Sequence, residues 1–243
     1  MFRWRSVLPL VLLPLMLYAL SQSEIIERRF GDRAQATWEF ACLLVSLLGL
    51  AIRINVSGYS NLATSGRNTT RQLAEKLNFT GIYSMVRHPL YLGNFFIMLG
   101  MAMFTQVWWL VGFCVLLFVI YYERIMYAEE AFLKREFGEV FTEWAAKTPA
   151  FIPNFAKHVP PRRPFIWKNA LKREYTTQLQ IFAGFFVLDV AADLLSGPYF
   201  EIETPWAVLL AISIVAYLVI RHMKRHTTVL DAKPRHPKAA AAK

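Results

Sequence analysis

Residues 81–96, with the sequence GIYSMVRHPLYLGNFF, hold the side chains of this chain best suited to chemistry. Arg87 and His88 come directly before Pro89, and from Leu90 onward the sequence is almost wholly apolar. Proline favours the first position of a helix, where its missing N–H would have had no partner. The free N–H groups of a first helical turn attract anions, and adjacent cationic side chains add to this effect. The segment therefore predicts an anion-binding site at the start of an apolar helix.

A second polar segment follows at residues 121–153, YYERIMYAEEAFLKREFGEVFTEWAAKTPAFIP. We interpret it as the end of a membrane helix that continues into the cytoplasm, with Glu129 and Glu130 about two turns beyond the last lipid-facing residue. Gly138 should loosen this helix, and Pro149 should mark its end. The segment therefore places two adjacent carboxylates just outside the membrane.

Each of these residues also has a simpler interpretation. Glu130 and Lys134 form an i,i+4 opposite-charge pair, which is a common way to stabilise an exposed helix face. Arg87 alone would be a topology anchor before a membrane helix, and His88 alone a hydrogen-bonded interfacial residue. The combination and its order favour a functional site over these separate explanations.

Composition indicates the fold class. The chain is 56% hydrophobic and only 18% charged, which is too apolar for an ordinary soluble domain. Runs that approach the length of a bilayer span predict an all-α, polytopic membrane helical bundle of about six transmembrane helices. The six predicted spans are 6–22, 37–54, 89–105, 107–122, 178–195 and 204–220.

The basic residues predict the orientation. With six spans and a cytoplasmic N-terminus, only Arg28, Arg29 and Arg33 of the 27 Lys and Arg residues lie outside, as the positive-inside rule requires. We therefore expect an integral protein of a bacterial inner membrane with both termini in the cytoplasm. The net charge of +10 reflects this topology and contact with anionic headgroups. No nucleic-acid motif accompanies it, and Cys42 and Cys114 suggest neither a disulfide nor a metal site.

The chain divides into four predicted segments. Residues 1–77 hold N-terminal membrane helices and a cytoplasmic loop, whose polar part at 55–80 could act as a lid. Residues 78–155 form the core with both polar segments. Residues 156–230 hold a basic loop and a C-terminal helical hairpin, and 231–243 form a disordered basic tail.

The motifs together resemble a known family. The pattern G-x-Y-x-x-V-R-H-P-x-Y-x-G, a spanning hairpin, then E-E-x-x-L-x-x-x-F-G-x-x-[YF] and P-x-F-I-P is similar to the isoprenylcysteine carboxyl methyltransferase and phospholipid methyltransferase superfamily. The resemblance covers about residues 78–153. It implies an integral-membrane enzyme that uses S-adenosylmethionine, bound at the cytoplasmic side by the Arg-His-Pro and Glu-Glu segments.

The resemblance also implies which residues bind the cofactor. The helix start with Arg87 or His88 would take its carboxylate, and Glu129 or Glu130 its ammonium or ribose hydroxyls, without a decision between the two carboxylates. Aromatic rings would contact adenine or the sulfonium, and Gly93 would let the ligand approach the backbone. The predicted cofactor-binding residues are Tyr83, Val86, Arg87, His88, Pro89, Tyr91, Leu92, Gly93, Glu129, Glu130 and Phe141.

The implied reaction transfers a methyl group to a lipid or lipid-like acceptor that enters from the bilayer. A carboxylate or phosphate acceptor needs no general base, whereas an amine could lose a proton to Glu123 or Glu130. Arg124 is a candidate for holding an anionic acceptor, with a snorkelling interfacial anchor as the equal alternative. Arg124 and Glu130 are thus the predicted catalytic residues.

Two other functions fit parts of the sequence. A pyridine-nucleotide reductase of the sterol-reductase kind shares the membrane architecture, but it would need an arginine-rich phosphate clamp. A non-catalytic scaffold would tolerate loss of the polar residues, whereas a small transporter should show inverted repeats or broken midplane helices. Neither feature is found in the sequence.

Overall fold

The computed structural model describes residues 13–20, 25–59, 77–196 and 204–231, and helices dominate these ranges. β-Type pairing within these ranges consists of a single antiparallel bridge between Gly81 and Val159. Two short 3-10 turns, Ile82–Ser84 and Phe155–Lys157, flank the polar segments. The α-helices in chain order are α1 Leu13–Leu20, α2 Ile25–Phe30, α3 Asp32–Tyr59, α4 Pro89–Phe104, α5 Trp108–Lys147, α6 Trp167–Ser196 and α7 Thr204–His226.

Four of these helices, α3, α5, α6 and α7, are long and apolar enough to cross a membrane. Helix α4 is apolar but has only 16 residues, about 24 Å at 1.5 Å per residue. The predicted helical membrane bundle is confirmed by this architecture. Of the predicted span 6–22, the described part is α1.

The closest helix packing joins α3 and α4 through small residues. A Cβ added at Gly93 would lie 2.6 Å from the Arg53 Cγ and 2.8 Å from the Gly49 carbonyl oxygen. About two turns further along α4, a Cβ at Gly100 would collide with the Cys42 carbonyl and with Ser46. The Ser46 hydroxyl also donates to the Ile97 carbonyl at 3.0 Å. Small residues, Ser46 and Gly49 on α3 among them, let the two backbones touch, as in other membrane helix pairs.

The hydrophobic core lies where α3, α6 and α7 meet the end of α4. Phe185 is fully buried, and its ring stacks on Trp206 at 5.3 Å and meets Phe104 edge-on at 5.3 Å. Leu43 and Leu50 of α3 complete this cluster. The C-terminal hairpin α6–α7 is therefore packed into the bundle rather than appended to it.

Helices α4 and α5 form the predicted tight hairpin. They are joined by residues 105–107, and Gln106 adopts a positive φ of 60° there. Helix α5 then runs for 40 residues, with a non-helical φ of 56° at Gly138. Its last helical residue is Lys147, directly before the segment that contains Pro149. Both features predicted for residues 121–153 are confirmed.

Two predicted boundaries are wrong. Helix α6 begins at Trp167, eleven residues before the predicted start at 178, so the second half of the expected basic loop is helical. No glycine or proline lies between Pro164 and residue 178, and the charged residues of this first part lie beyond the apolar stretch. Helix α3 likewise continues to Tyr59, so residues 55–59 of the predicted lid are helical, and residues 60–76 lie outside the described residues. The tail after residue 231 lies outside them too.

The glycine packing gives a stability prediction. Gly100→Ala should lower the free energy of unfolding by about 1 to 3 kcal/mol, because its methyl group must displace backbone atoms of α3. Thermal unfolding in detergent micelles measures the change. Gly112→Ala is the matched control, since a Cβ there has no neighbour within 4 Å. Equal unfolding temperatures for the two variants would contradict the packing described.

Candidate functional site

The segment before α4 is held by backbone hydrogen bonds against the segment after α5. These bonds fix the Arg-His-Pro sequence beside the end of the long helix, although more than 60 residues separate the partners along the chain. Paired backbone groups of this kind satisfy polar atoms that a membrane boundary would otherwise leave unpaired. The bonds run from Arg87 N to Pro149 O at 2.9 Å, from His88 N to Ala150 O at 3.2 Å and from Asn154 N to Met85 O at 2.9 Å.

Glu130 lies at the centre of the site. Arg87 Nη1 donates to Glu130 Oε2 at 2.8 Å, and His88 Nε2 lies 2.8 Å from Glu130 Oε1. The His88 side chain is only 6% exposed, so water competes little for this contact. Hydrogen bonds to an ionised carboxylate are among the stronger polar contacts in proteins. Glu130 therefore joins α5 to the start of α4 with both of its oxygens.

Glu129 approaches the same helix start from the next position on α5. The Tyr91 hydroxyl donates to Glu129 Oε2 at 2.8 Å, and His88 Nδ1 lies 3.7 Å from that oxygen. The Tyr91 ring stacks on the His88 ring at 5.5 Å with an angle of 15°. Glu129 is 38% exposed on its side chain, unlike its more enclosed neighbour. The two predicted segments are thus brought together around both carboxylates.

The helix start offers fewer free N–H groups than the sequence suggested. Pro89 occupies the first helical position, and both Tyr91 N and Leu92 N donate to the His88 carbonyl at 3.1 Å. Leu90 then supplies the remaining N–H of the first turn. Any anion bound here must depend on side chains more than on the backbone.

Tyr83 lies next to this cluster in the 3-10 turn that precedes α4. Burial raises the pKa of its phenol to about 12, and the negative charge of Glu129 acts in the same direction, while Arg173 opposes it. The phenol therefore keeps its proton at physiological pH and is available as a hydrogen-bond donor. The influence of Arg173 also brings the first part of α6 within electrostatic reach of the site.

Several predicted binding residues form the buried support of the site. Val86, Pro89, Leu92 and Phe141 are all buried. The Phe141 ring packs on Trp144 at 5.8 Å, and the Trp144 indole N–H donates to the Tyr83 carbonyl. These residues fix the backbone that carries the polar side chains.

The interpretation of Gly93 as an approach point for a ligand is corrected. The space beside Gly93 is filled by Gly49 and Arg53 of α3, as described above. Glycine is required there by helix packing, because any side chain would separate α3 from α4.

The predicted place of Arg124 in the site is not confirmed. Its side chain is exposed, and no hydrogen bond or ion pair is found for it among the described residues. Six helical positions separate it from Glu130, which turns the two about 120° apart around α5 at 100° per residue. This arrangement favours the alternative of an interfacial anchor.

A buried polar network beside the site was missed from the sequence. Arg53 of α3 forms an ion pair with Glu174 of α6, with Nε 2.7 Å from Oε2. Arg53 also bonds to Asn94 of α4, whose amide donates to the Tyr122 hydroxyl at 3.2 Å. Oppositely charged residues near the inner ends of two predicted spans were the available signal.

Comparisons with known proteins agree with the motifs. Residues 40–140 match the phospholipid methyltransferase family. The chain is 32% identical over 99 residues, 38% of its length, to protein-S-isoprenylcysteine O-methyltransferase B of Arabidopsis thaliana, covering 50% of that protein. The resemblance to the isoprenylcysteine carboxyl methyltransferase and phospholipid methyltransferase superfamily is thereby confirmed.

Two other relatives carry names of a different kind. A nickel-cobalt-cadmium resistance protein of Alcaligenes xylosoxydans is 36% identical over 121 residues, 49% of this chain and 54% of that protein. A cobalt-zinc-cadmium resistance protein of Cupriavidus metallidurans is 30% identical over 155 residues, 63% of each chain. The chain thus spans less than two thirds of each of these relatives.

No solved structure matches the chain. Across residues 13–20, 25–59, 77–196 and 204–231, no group of three or more His, Cys, Asp and Glu side chains is placed to hold a metal ion.

The central role of Glu130 can be tested without any ligand. Glu130→Gln removes the charge that Arg87 and His88 share, so the free energy of unfolding should fall by about 1 to 2 kcal/mol. Thermal unfolding of the detergent-solubilised protein measures this. Glu136→Gln, an exposed change on the same helix, should stay within about 0.5 kcal/mol of the parent. A Glu130→Gln variant as stable as the control would show that the observed contacts do not hold the site together.

Proposed function

We propose that this chain is an integral-membrane methyltransferase that transfers a methyl group from S-adenosylmethionine to a lipid or lipid-like acceptor at the cytoplasmic membrane face. The proposal rests on one observation, that polar side chains at the start of α4 contact two adjacent carboxylates of α5. The side chains are those of Arg87, His88 and Tyr91, and the carboxylates are those of Glu129 and Glu130. The family match over residues 40–140 supports the same reaction class. The relative from Arabidopsis is itself named as an O-methyltransferase.

The donors and acceptors at the site fit the amino-acid end of S-adenosylmethionine. Glu129 uses only Oε2 in the contacts described, and its partial exposure leaves the carboxylate open to an ammonium group. Arg87 Nε is buried and has no hydrogen-bond partner among the described residues, while Nη1 is used by Glu130. A buried donor without a partner is costly, and a ligand carboxylate would satisfy it. We therefore assign the ammonium to Glu129 and the carboxylate to Arg87.

Glu130 acts in this proposal as a positioning residue rather than as a base. Both of its oxygens already accept from cationic or polar donors of the helix start. A carboxylate held in this way is a poor proton acceptor, because gaining a proton would cost it these contacts. The acceptor that suits the site best is consequently an anionic oxygen, which needs no base. Bound S-adenosylmethionine would supply a methyl group already activated on a sulfonium, and the protein's part is alignment and exclusion of water.

A hydrophobic acceptor fits the surroundings of the site. Four aromatic rings pack on one another beside Tyr91, and they belong to Phe95, Phe118, Tyr122 and Phe151. Phe118 and Tyr122 are stacked at 3.9 Å. This aromatic layer continues the site toward the apolar part of α4 and α5. The reductase alternative has less support, because it would need an arginine-rich phosphate clamp, whereas Arg87 already shares its charge with Glu130 and Arg53 has protein partners on all three nitrogens.

Binding of the proposed cofactor is the first test. Isothermal titration calorimetry of the purified protein in detergent should detect S-adenosylmethionine binding in the micromolar range, and Glu129→Gln should weaken it by at least about tenfold, since a charge-assisted hydrogen bond is lost. Glu136→Gln serves as the matched control on the same helix and should bind like the parent. Absence of binding to the parent, or equal binding by Glu129→Gln, would refute the assignment.

The chemical class of the acceptor needs a separate experiment. Incubation of the protein with methyl-labelled S-adenosylmethionine and a membrane lipid extract should move label into the organic phase. Release of that label as methanol under mild base would identify a carboxyl ester, as expected for an acceptor that needs no general base. Label confined to water-soluble products would contradict a lipid acceptor.

A further inference from the structure

An ion pair buried near the proposed site joins three helices. Glu174 of α6 is 5% exposed, and the Arg53 side chain of α3 is 14% exposed. Besides its contact with Arg53, Glu174 accepts from the Ser57 hydroxyl at 2.7 Å. Arg53 Nη2 donates to the Thr177 hydroxyl at 3.3 Å, and its Nη1 donates to Asn94 of α4. Each of the three Arg53 nitrogens thus has a protein partner, so this arginine is not placed to bind a ligand itself.

The network continues from Arg53 to the carboxylates of the site. The Asn94 side-chain amide donates to the Tyr122 hydroxyl, and the Tyr122 ring meets the Tyr91 ring at 5.0 Å with an angle of 61°. On its other side Tyr91 stacks on His88, and its hydroxyl donates to Glu129. Tyr91 is consequently held between two rings, and the hydroxyl of one of them, Tyr122, accepts a hydrogen bond from Asn94.

Stability alone gives little reason for such an arrangement. Withdrawing two charges from water costs free energy that their attraction often fails to recover, and apolar residues of similar volume are frequently as stable. Fixed geometry is the benefit that an apolar contact does not give, because a guanidinium group with three directed bonds orients each of its partners. The orientation of Asn94, and through it of Tyr122, is what the pair determines here.

We propose that Glu174, acting through Arg53 and Asn94, positions Tyr91 and Glu129 for the methyl donor, so that the C-terminal hairpin α6–α7 is a working part of the site. This inference rests on the function proposed above. Glu174 lies beyond residues 40–140, the region that matches the methyltransferase family. Neither Glu174 nor Arg53 touches the reacting groups in this proposal, and both are positioning residues.

The test compares two adjacent tyrosines of α5. Tyr122→Phe removes the hydroxyl that accepts from Asn94 but keeps the ring, and S-adenosylmethionine affinity measured by calorimetry should fall about 3- to 10-fold, as for the loss of one hydrogen bond. Tyr121→Phe is the matched control, since its hydroxyl has no hydrogen-bond partner among the described residues, and it should bind like the parent. Glu174→Gln should weaken binding at least as much as Tyr122→Phe.

A double-mutant cycle separates positioning from a general loss of stability. In a Glu129→Gln background the additional effect of Tyr122→Phe on affinity should vanish, because the network acts through Glu129. Independent, additive effects would overturn the proposal, and so would unchanged affinity in Tyr122→Phe and Glu174→Gln when the parent binds. A parent protein that binds no S-adenosylmethionine would instead overturn the function on which the inference rests. If Glu174→Gln fails to fold, the Tyr122 pair still decides the outcome.

Discussion

The shared contact of Glu130 with Arg87 and His88 is the interaction on which the arrangement of the site depends. It joins the middle of α5 to the residues just before α4, which lie 43 and 42 positions away in the sequence. Hydrogen bonds from the backbone of the Arg-His-Pro segment to residues 149 and 150 hold the same two parts together from the other side. Because the charged groups are partly withdrawn from water, the contact is stronger and more directional than a surface ion pair.

The place of α4 in the bundle is set by contact between backbones. Gly93 and Gly100 lie directly against α3, so α4 can take only one register relative to that helix. This register fixes the position of Pro89 relative to α3 and the side of the bundle on which Tyr91 and Asn94 lie. Helix α4 has 16 residues, and the small residues along it let its backbone lie directly against α3, as in membrane helix pairs.

The C-terminal hairpin contributes both to the hydrophobic core and to the polar contacts beside the site. Helix α6 contributes to the hydrophobic core through Ile181 and Phe185, and its first part brings Glu174 to Arg53. One helix thus fills the interior of the bundle and also meets the polar layer beside the site. The early start of α6 at Trp167 makes this possible, because a loop at that position would not present Glu174 on a fixed helix face.

The sequence by itself determined the class of protein and the two segments that meet at the site. Apolar runs specify membrane helices, since an unpaired backbone is not tolerated in lipid, and Pro89, Gly138 and Pro149 mark helix ends through local sterics alone. Only the tertiary structure decided which distant residues are in contact, because local sequence patterns do not contain this information. Gly93 packs against α3, and Arg124 faces away from the two carboxylates. Arg53 pairs with Glu174, which lies 121 residues further along the chain. Such long-range pairings depend on the register between helices, which is fixed by packing in three dimensions and leaves no periodic signal in the chain.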